Sequence, residues 1–258
     1  MASEPVAYDA LAGVYPWLVP EALLTPQGAV DAFADVLDAL DDGARVLDCA
    51  AGTGQLAVGL ALRGYDVVAA DASPAMVART RELAATHGVR VPVVPCAWEA
   101  LPAQAWDGRF DAVFCVGNSL PHAGPTPRRR AALAAMAGVL RAGGLLAVTS
   151  RNWELARALG PGLQVADRLV ERDGRRGLVI YAWTLPDGAD DAVHVDVAVS
   201  FIDDGGAVTT HGERLAVWSF THGQLAADLR AAGLEPRSST YADDAARYLV
   251  TARRISAP

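Results

Sequence analysis

Lysine is absent from this chain of 258 residues, and the 22 basic side chains are all arginine. That excludes a phosphate-loop lysine, a Schiff-base lysine and the Tyr/Lys pair of short-chain dehydrogenases. Cysteine is scarce: Cys49, Cys96 and Cys115 lie far apart, each in an apolar strand context. They make neither a metal-ligand spacing nor an even disulfide set, so no metal site is expected, and buried, reduced thiols are. No apolar run reaches membrane-spanning length, and the start Met1-Ala2-Ser3-Glu4-Pro5 lacks a basic and an apolar leader region. Those absences read as a cytoplasmic protein with no membrane partner. Positive charge is in deficit, with a net charge of −8, which argues against nucleic acid as a partner. The one basic cluster, Arg128-Arg129-Arg130, follows Thr126-Pro127 at a helix start and reads as a solvated helix face.

What is present is a large apolar fraction, 52%, enough to bury the core of one α/β domain with an insertion or of two small domains. Its most informative stretch is Arg45-Val46-Leu47-Asp48-Cys49-Ala50-Ala51-Gly52-Thr53-Gly54-Gln55-Leu56-Ala57. A second strand, Asp66-Val67-Val68-Ala69-Ala70, follows and ends on Asp71. Strand, glycine turn, helix, strand and acid form a nucleoside site at the carboxyl ends of an open α/β sheet. Gly52 and Gly54 allow close backbone approach, and Asp71 is placed to accept both hydroxyls of a ribose. Gly52, Gly54 and Ala57 also satisfy the loose dinucleotide fingerprint. Asp48 tips the balance, because a carboxylate there repels a pyrophosphate and holds an ammonium.

This run resembles motif I of the class I S-adenosylmethionine methyltransferases, with Ala50 in place of a common glycine. Pro95-Cys96-Ala97-Trp98-Glu99 resembles their motif II, with Trp98 suited to pack on adenine and Ala97 where an acid or amide is usual. Gly117-Asn118-Ser119-Leu120-Pro121-His122 and Ser150-Arg151-Asn152-Trp153 look like the matching segments of glycine and sarcosine N-methyltransferases. The resemblance places Tyr8, Asp48, Ala50, Gly52, Gly54, Asp71, Ala72, Met76, Ala97, Trp98 and Val116 around S-adenosyl-L-methionine. It makes Asn118 the orienter of the acceptor, His122 its proton acceptor and Arg151 the clamp on an acceptor carboxylate, with Asn152 and Trp153 beside it. Tyr8 and Tyr15 resemble a tyrosine pair that covers the cofactor, Tyr15 near the methyl group. Plainer readings stand beside these: Trp98 and the tyrosines as core, His122 without a role, Arg151 in a surface ion pair. His194 and His211, in alternating strands, face either pocket or water.

The expected fold is α/β, a Rossmann-like class I methyltransferase sheet with an antiparallel β insertion after the fifth core strand. Residues 1–42 form an N-terminal helical cap, 43–160 the cofactor-binding core, 161–219 the insertion and 220–258 a return to the core. Thr25-Pro26 opens a helix over 26–40, and Ser73-Pro74 caps the helix after Asp71. Core strands are expected near 45–48, 66–70, 91–94, 110–116 and 143–150, with Arg141-Ala142-Gly143-Gly144 closing the preceding helix by a left-handed glycine cap. Insertion strands are expected near 163–172, 177–185, 194–201 and 207–218, with turns at Asp173-Gly174, Asp187-Gly188 and Asp203-Asp204-Gly205-Gly206. Thr221-His222-Gly223-Gln224 has capping-box spacing for a helix to 232, and strands follow near 234–241 and 246–254. The insertion is either a lid over the acceptor or a dimer-forming sheet, so a homo-oligomer is a possible partner state.

These features converge on methyl transfer from S-adenosyl-L-methionine to a small-molecule acceptor, most readily at an amine or amino-acid nitrogen. One alternative is a natural-product C- or N-methyltransferase acting on an indole or cyclic dipeptide. Trp17, Trp153, Trp183 and Trp218 suit a flat acceptor as well as they suit a core. Alternatives of another class are an NAD-dependent oxidoreductase and a non-catalytic adenosyl-ligand binding module.

Overall fold

The computed structural model describes residues 7–165, 170–172, 174–186, 188 and 191–255. Met1–Pro5, Asp173 and Asp187 of the stretches read above lie outside the described residues. So do residues 166–169 in the run expected as one strand over 163–172.

The N-terminal cap is less helical than expected. It consists of turns, two 3-10 helices at Tyr15–Trp17 and Glu21–Leu23, and two short helices, α1 (Pro26–Asp31) and α2 (Ala34–Leu37). Thr25 caps α1, its hydroxyl accepting the Gly28 N–H at 3.1 Å. The helix breaks after α1: Phe33 leaves helical geometry at φ −121, ψ 20, and its ring meets Phe114 edge-on at 5.6 Å.

The core then alternates as the sequence pattern requires: β1 (Arg45–Asp48), α3 (Gln55–Leu62), β2 (Asp66–Asp71), α4 (Pro74–Thr86), β3 (Val93–Pro95), β4 (Phe110–Cys115), α5 (Thr126–Val139), β5 (Leu140–Arg151) and α6 (Trp153–Leu159). The insertion contributes β6 (Gly162–Val165), β7 (Val170–Arg172), β8 (Arg175–Thr184), β9 (Val193–Ile202) and β10 (Val208–Val217). The chain returns through α7 (His222–Ala231), β11 (Leu234–Ser239) and β12 (Arg247–Arg254). Ser73 caps α4, and Thr221 with Gln224 forms the full capping box of α7.

The seven-stranded main sheet has the order β11-β12-β5-β4-β1-β2-β3. Strands β1 to β5 run parallel, and β12 returns antiparallel to β5. Between β1 and β4 the strand order reverses, and in such sheets ligands bind in the crevice beyond the carboxyl ends at that point. Strand β5 begins at Leu140, earlier than expected, because α5 ends without a glycine cap. Gly143, at φ 73, instead takes up a register shift opposite Phe110 and Ala112 of β4.

The second sheet pairs β10-β9-β8-β6 antiparallel, with β7 also on β8. Its inner face carries Val179, Val197, Val199, Phe201 and Leu215, packed against Leu11 and Val14 of the cap. Trp17 meets Phe201 edge-on at 4.9 Å. The cap is therefore held between the ligand edge of the main sheet and the insertion.

The arginine triplet is a solvated face only in part: Arg128 and Arg130 are exposed, and Arg129 is not. Arg129 is buried, 2.7 Å from the buried Asp228 of α7, and lies over the Phe220 ring. Arg130 reaches the other Asp228 oxygen at 2.6 Å. Among the described residues no helix is long and apolar enough to cross a membrane, and no group of His, Cys, Asp and Glu is placed to hold a metal.

Candidate active site

The crevice at the β1–β4 reversal holds a cavity of about 570 Å³. The glycine turn after β1 forms its floor. Gly52 and Gly54 adopt φ 56 and 91, and a Cβ on Gly54 would stand 2.8 Å from Thr80, so the turn packs directly on α4. Thr80 completes that contact by donating to the Gly52 carbonyl at 2.8 Å. Asp71, at the end of β2, accepts the N–H of Gly52 at 2.8 Å and that of Ser73 at 2.9 Å. Its carboxylate lines the cavity, and burial raises its pKa.

Asp48 lies beneath the turn, fully buried. Desolvation pushes its pKa up to about 7, against the lowering effect of the Ala50 and Ala57 N–H groups. Its Oδ1 has no hydrogen-bond partner among the described residues. A buried carboxylate oxygen left bare beside a ligand turn suits an ammonium donor. Trp98 is fixed by its Nε1 donating to the Cys49 carbonyl at 2.9 Å, which sets the indole as a cavity wall. Ala50, Ala72, Met76 and Ala97 line the same cavity. Three expected ligands do not: Asp48 stays buried beneath the turn, Gly54 serves the turn against Thr80, and Val116 packs into the core with its carbonyl accepting from Ser119.

A second, smaller cavity of about 90 Å³ adjoins the first. Tyr8, Tyr15, Gly117, Asn118, His122 and Leu215 line both, so they form the partition between them. Tyr8 meets Tyr15 and His122 edge-on, each at 5.4 Å. It sits at φ 64, rare for a bulky residue, and its N–H donates to Glu213 of β10 at 3.1 Å. Burial raises both phenol pKa values, that of Tyr15 to about 12, so both are neutral hydroxyls.

His122 differs from expectation in its basicity. Burial lowers its pKa to about 4, leaving a neutral and weakly basic imidazole. Asn118 also has a structural role. It sits at φ 67, and its Oδ1 accepts the Arg151 N–H at 2.8 Å. Arg151 and Trp153 line the small cavity. Asn152 does not; it caps α6 and donates to the Ala242 carbonyl at 3.1 Å. Of the four tryptophans read as able to reach the site, Trp153 and Trp183 line the small cavity, Trp218 the large one and Trp17 neither. His194 and His211 line neither cavity, and all three cysteines are free and buried.

Sequence reasoning missed Arg247 and Tyr181, which complete the small cavity, and Glu213. The alternation Tyr181, Trp183 on β8 was a usable signal. Arg247 carried none, since only the β12–β5 pairing brings it here.

A glycine turn on a β1–β4 reversal, an acid ending β2 and a 3-2-1-4-5 parallel order with an antiparallel return define the fold of the class I S-adenosylmethionine-dependent methyltransferases. Residues 46–144 match the methyltransferase domain family. Over 115 residues the chain is 40% identical to a glycine/sarcosine N-methyltransferase of Parasynechococcus marenigrum, covering 44% of this chain and 40% of that one. The chain thus spans well under half the length of that curated relative. Among solved structures it is similar to SAM-bound CalS10, an amino pentose methyltransferase of Micromonospora echinaspora, with TM-score 0.73, 24% identity and coverage of 97% and 99%. It is also similar to the sugar N-methyltransferase KedS8 of a Streptoalloteichus species, with TM-score 0.65, 25% identity and coverage of 99% and 90%.

Proposed function

We propose that this protein transfers a methyl group from S-adenosyl-L-methionine to the nitrogen of a small amine acceptor. The observation that carries this reading is the pair of adjoining cavities that share one wall, Tyr8, Tyr15, Asn118 and His122. The large cavity suits the donor: Asp71 for a ribose and Trp98 for a flat base line it, and Asp48, buried beneath its floor, is the nearby carboxylate for an ammonium. The small one suits the acceptor. Relatives named for methylation at nitrogen support the choice of nitrogen.

When bound, the donor supplies a methyl group already activated by its sulfonium, so the chain has to provide alignment and exclusion of water. Tyr8 and Tyr15 close the partition with neutral hydroxyls that favour a polarised methyl group. Asn118, its Oδ1 engaged, keeps its Nδ2 for the acceptor. His122 offers a neutral ring nitrogen to the amine; with so low a pKa it orients more than it deprotonates. The amine must therefore arrive unprotonated. The volume of the small cavity favours a compact amine over an indole or a cyclic dipeptide.

Calorimetric titration with S-adenosylhomocysteine and with NAD, on native protein and Asp71→Ala, tests the donor. Binding of S-adenosylhomocysteine alone, lost in the variant, is expected, as is label transfer from methyl-labelled donor to sarcosine. Binding of NAD alone overturns the reading in favour of an oxidoreductase. Tight S-adenosylhomocysteine binding with no transfer to any amine leaves a binding module instead.

A further inference from the structure

Side chains of β10 alternate between two faces. Leu215 and Val217 point inward, where Leu215 packs on the cap and lines both cavities and Val217 lines the small one. Arg214 points outward and pairs with Asp196 of β9, directly opposite it, at 2.6 Å. Glu213 therefore belongs to the inward row, opposite the buried Val197, and it lines the large cavity. A carboxylate in an apolar row needs a hydrogen-bond donor. Its Oε2 is buried without a partner among the described residues. Its Oε1 takes the backbone N–H of Tyr8 at 3.1 Å, across 205 positions of sequence.

That bond falls on a residue whose backbone is strained. Tyr8 sits at φ 64, in the left-handed region, which a bulky side chain keeps only where its surroundings enforce it. Both of its backbone groups are engaged, the N–H by Glu213 and the carbonyl by the Leu11 N–H at 3.1 Å. The next residue is tied elsewhere: Asp9 accepts the Ser73 hydroxyl and, at 3.3 Å, the Ala75 N–H at the start of α4. Within two residues the chain passes from the insertion to the core, and the left-handed turn at Tyr8 makes that passage. The Tyr8 ring is thereby aimed at Tyr15 and His122, each at 5.4 Å, in the wall that the two cavities share.

We propose that Glu213 is a positioning residue for methyl transfer, its carboxylate holding the Tyr8 backbone so that the Tyr8 ring stands in the wall between donor and acceptor. This rests on the reading of the two cavities as donor and acceptor sites. Glu213 acts through Tyr8, so its loss shifts a ring and removes no contact to the acceptor. Where alignment decides the rate, a ring displaced by about 1 Å costs more in turnover than in binding. The insertion thereby takes part in aligning the reacting groups.

Transfer from methyl-labelled donor to sarcosine is measured in native protein, Glu213→Ala, Glu213→Leu and Glu213→Gln. Alanine and leucine both remove the accepting oxygen, and leucine also suits the apolar row, which guards against a folding defect. In both, kcat is expected to fall about tenfold with the sarcosine KM within about threefold of native. An amide carbonyl still accepts the Tyr8 N–H, so Glu213→Gln is expected to recover kcat to within about threefold of native. In a Tyr8→Gly background there is no ring to place, and adding Glu213→Ala is expected to cost less than about twofold more. Exchange of the Tyr8 amide hydrogen, followed by NMR on ligand-free protein, is expected to quicken about tenfold or more in Glu213→Ala. Native kcat in Glu213→Ala, the full loss repeated in the Tyr8→Gly background, or Glu213→Gln as impaired as Glu213→Ala overturns the proposal. If native protein methylates no amine, the function reading falls instead, and unchanged amide exchange in Glu213→Ala is then what overturns the clamp.

Discussion

Asp71 accepts the backbone N–H of Gly52 at 2.8 Å, so the acid that ends β2 holds the glycine turn that follows β1. Its other oxygen accepts from Ser73 at 2.9 Å, at the start of α4. One carboxylate therefore fixes two sides of the larger cavity. Asp71→Asn opposes an amide NH2 to one of these N–H groups, whichever way the side chain turns. We expect a loss of about 1–3 kcal/mol in stability from the donor left unsatisfied. S-adenosylhomocysteine affinity is expected to fall about 100-fold, since ribose contact and turn geometry fail together. Denaturant titration and calorimetry check the two effects separately; near-native affinity would show that Asp71 serves the turn alone.

A pH dependence follows from Asp48. Its pKa is raised to about 7 from an ordinary 3.8, chiefly by burial. Folded protein then holds the proton over a range in which unfolded chain has lost it. This contribution to stability is complete below the unfolded value and is lost as pH rises through about 7. The Tm of ligand-free protein is expected to decline from about pH 5 to about pH 8, with the slope removed in Asp48→Asn. Donor affinity should move the other way, because an ammonium requires the ionised carboxylate. S-adenosylhomocysteine is expected to bind more weakly below about pH 7, by up to about tenfold per pH unit. Equal slopes in native and Asp48→Asn protein would count against this account.

The His122 imidazole predicts a negative result. With its pKa held near 4 by burial, it stays neutral across the working range. The acid limb of kcat/KM is therefore expected to follow the acceptor's own amine and to keep its position in His122→Gln. The variant should lose about tenfold or less in kcat, the scale of an orienting contact and not of a general base. A limb near pH 6.5 in native enzyme that disappears in the variant would restore His122 as the base.

Much of this framework was legible in the sequence because its signals are local. Thr25, Ser73 and the Thr221–Gln224 box cap the helices they announce, since each satisfies backbone groups within three residues. Asp48, Gly52 and Asp71 were legible because a β-strand, a tight turn and a second strand fix their separation. Residues whose role depends on distant pairing were not. Asn152 reads as an acceptor contact after β5, yet nearby backbone claims it as the cap of α6, a helix that the residue pattern does not announce. Arg247 reaches the smaller cavity only because β12 returns beside β5, across a separation no local pattern records. Tyr8 was placed near the donor by resemblance, but its tie to Glu213 spans most of the chain.

The same limit explains Arg129, the one member of the arginine triplet that is buried, whose expected exposure followed from its charge alone. Arg129 and Asp228 are 3% and 1% exposed at 2.7 Å, and they join α5 to α7. Removing one partner strands the other without compensation, which costs about 3–5 kcal/mol at buried pairs. Asp228→Asn is expected at that level, because it leaves both Arg129 and Arg130 without their carboxylate. Arg129→Met should cost less, since Arg130 still reaches Asp228 at 2.6 Å. The double variant Arg129→Met/Asp228→Leu removes both charges and should recover much of the loss in urea unfolding. If it is no more stable than Asp228→Asn, the pair contributes more than its charges, through the Arg129 stem packed on Phe220. Donor affinity in the folded double variant should remain native, because neither residue lines a cavity.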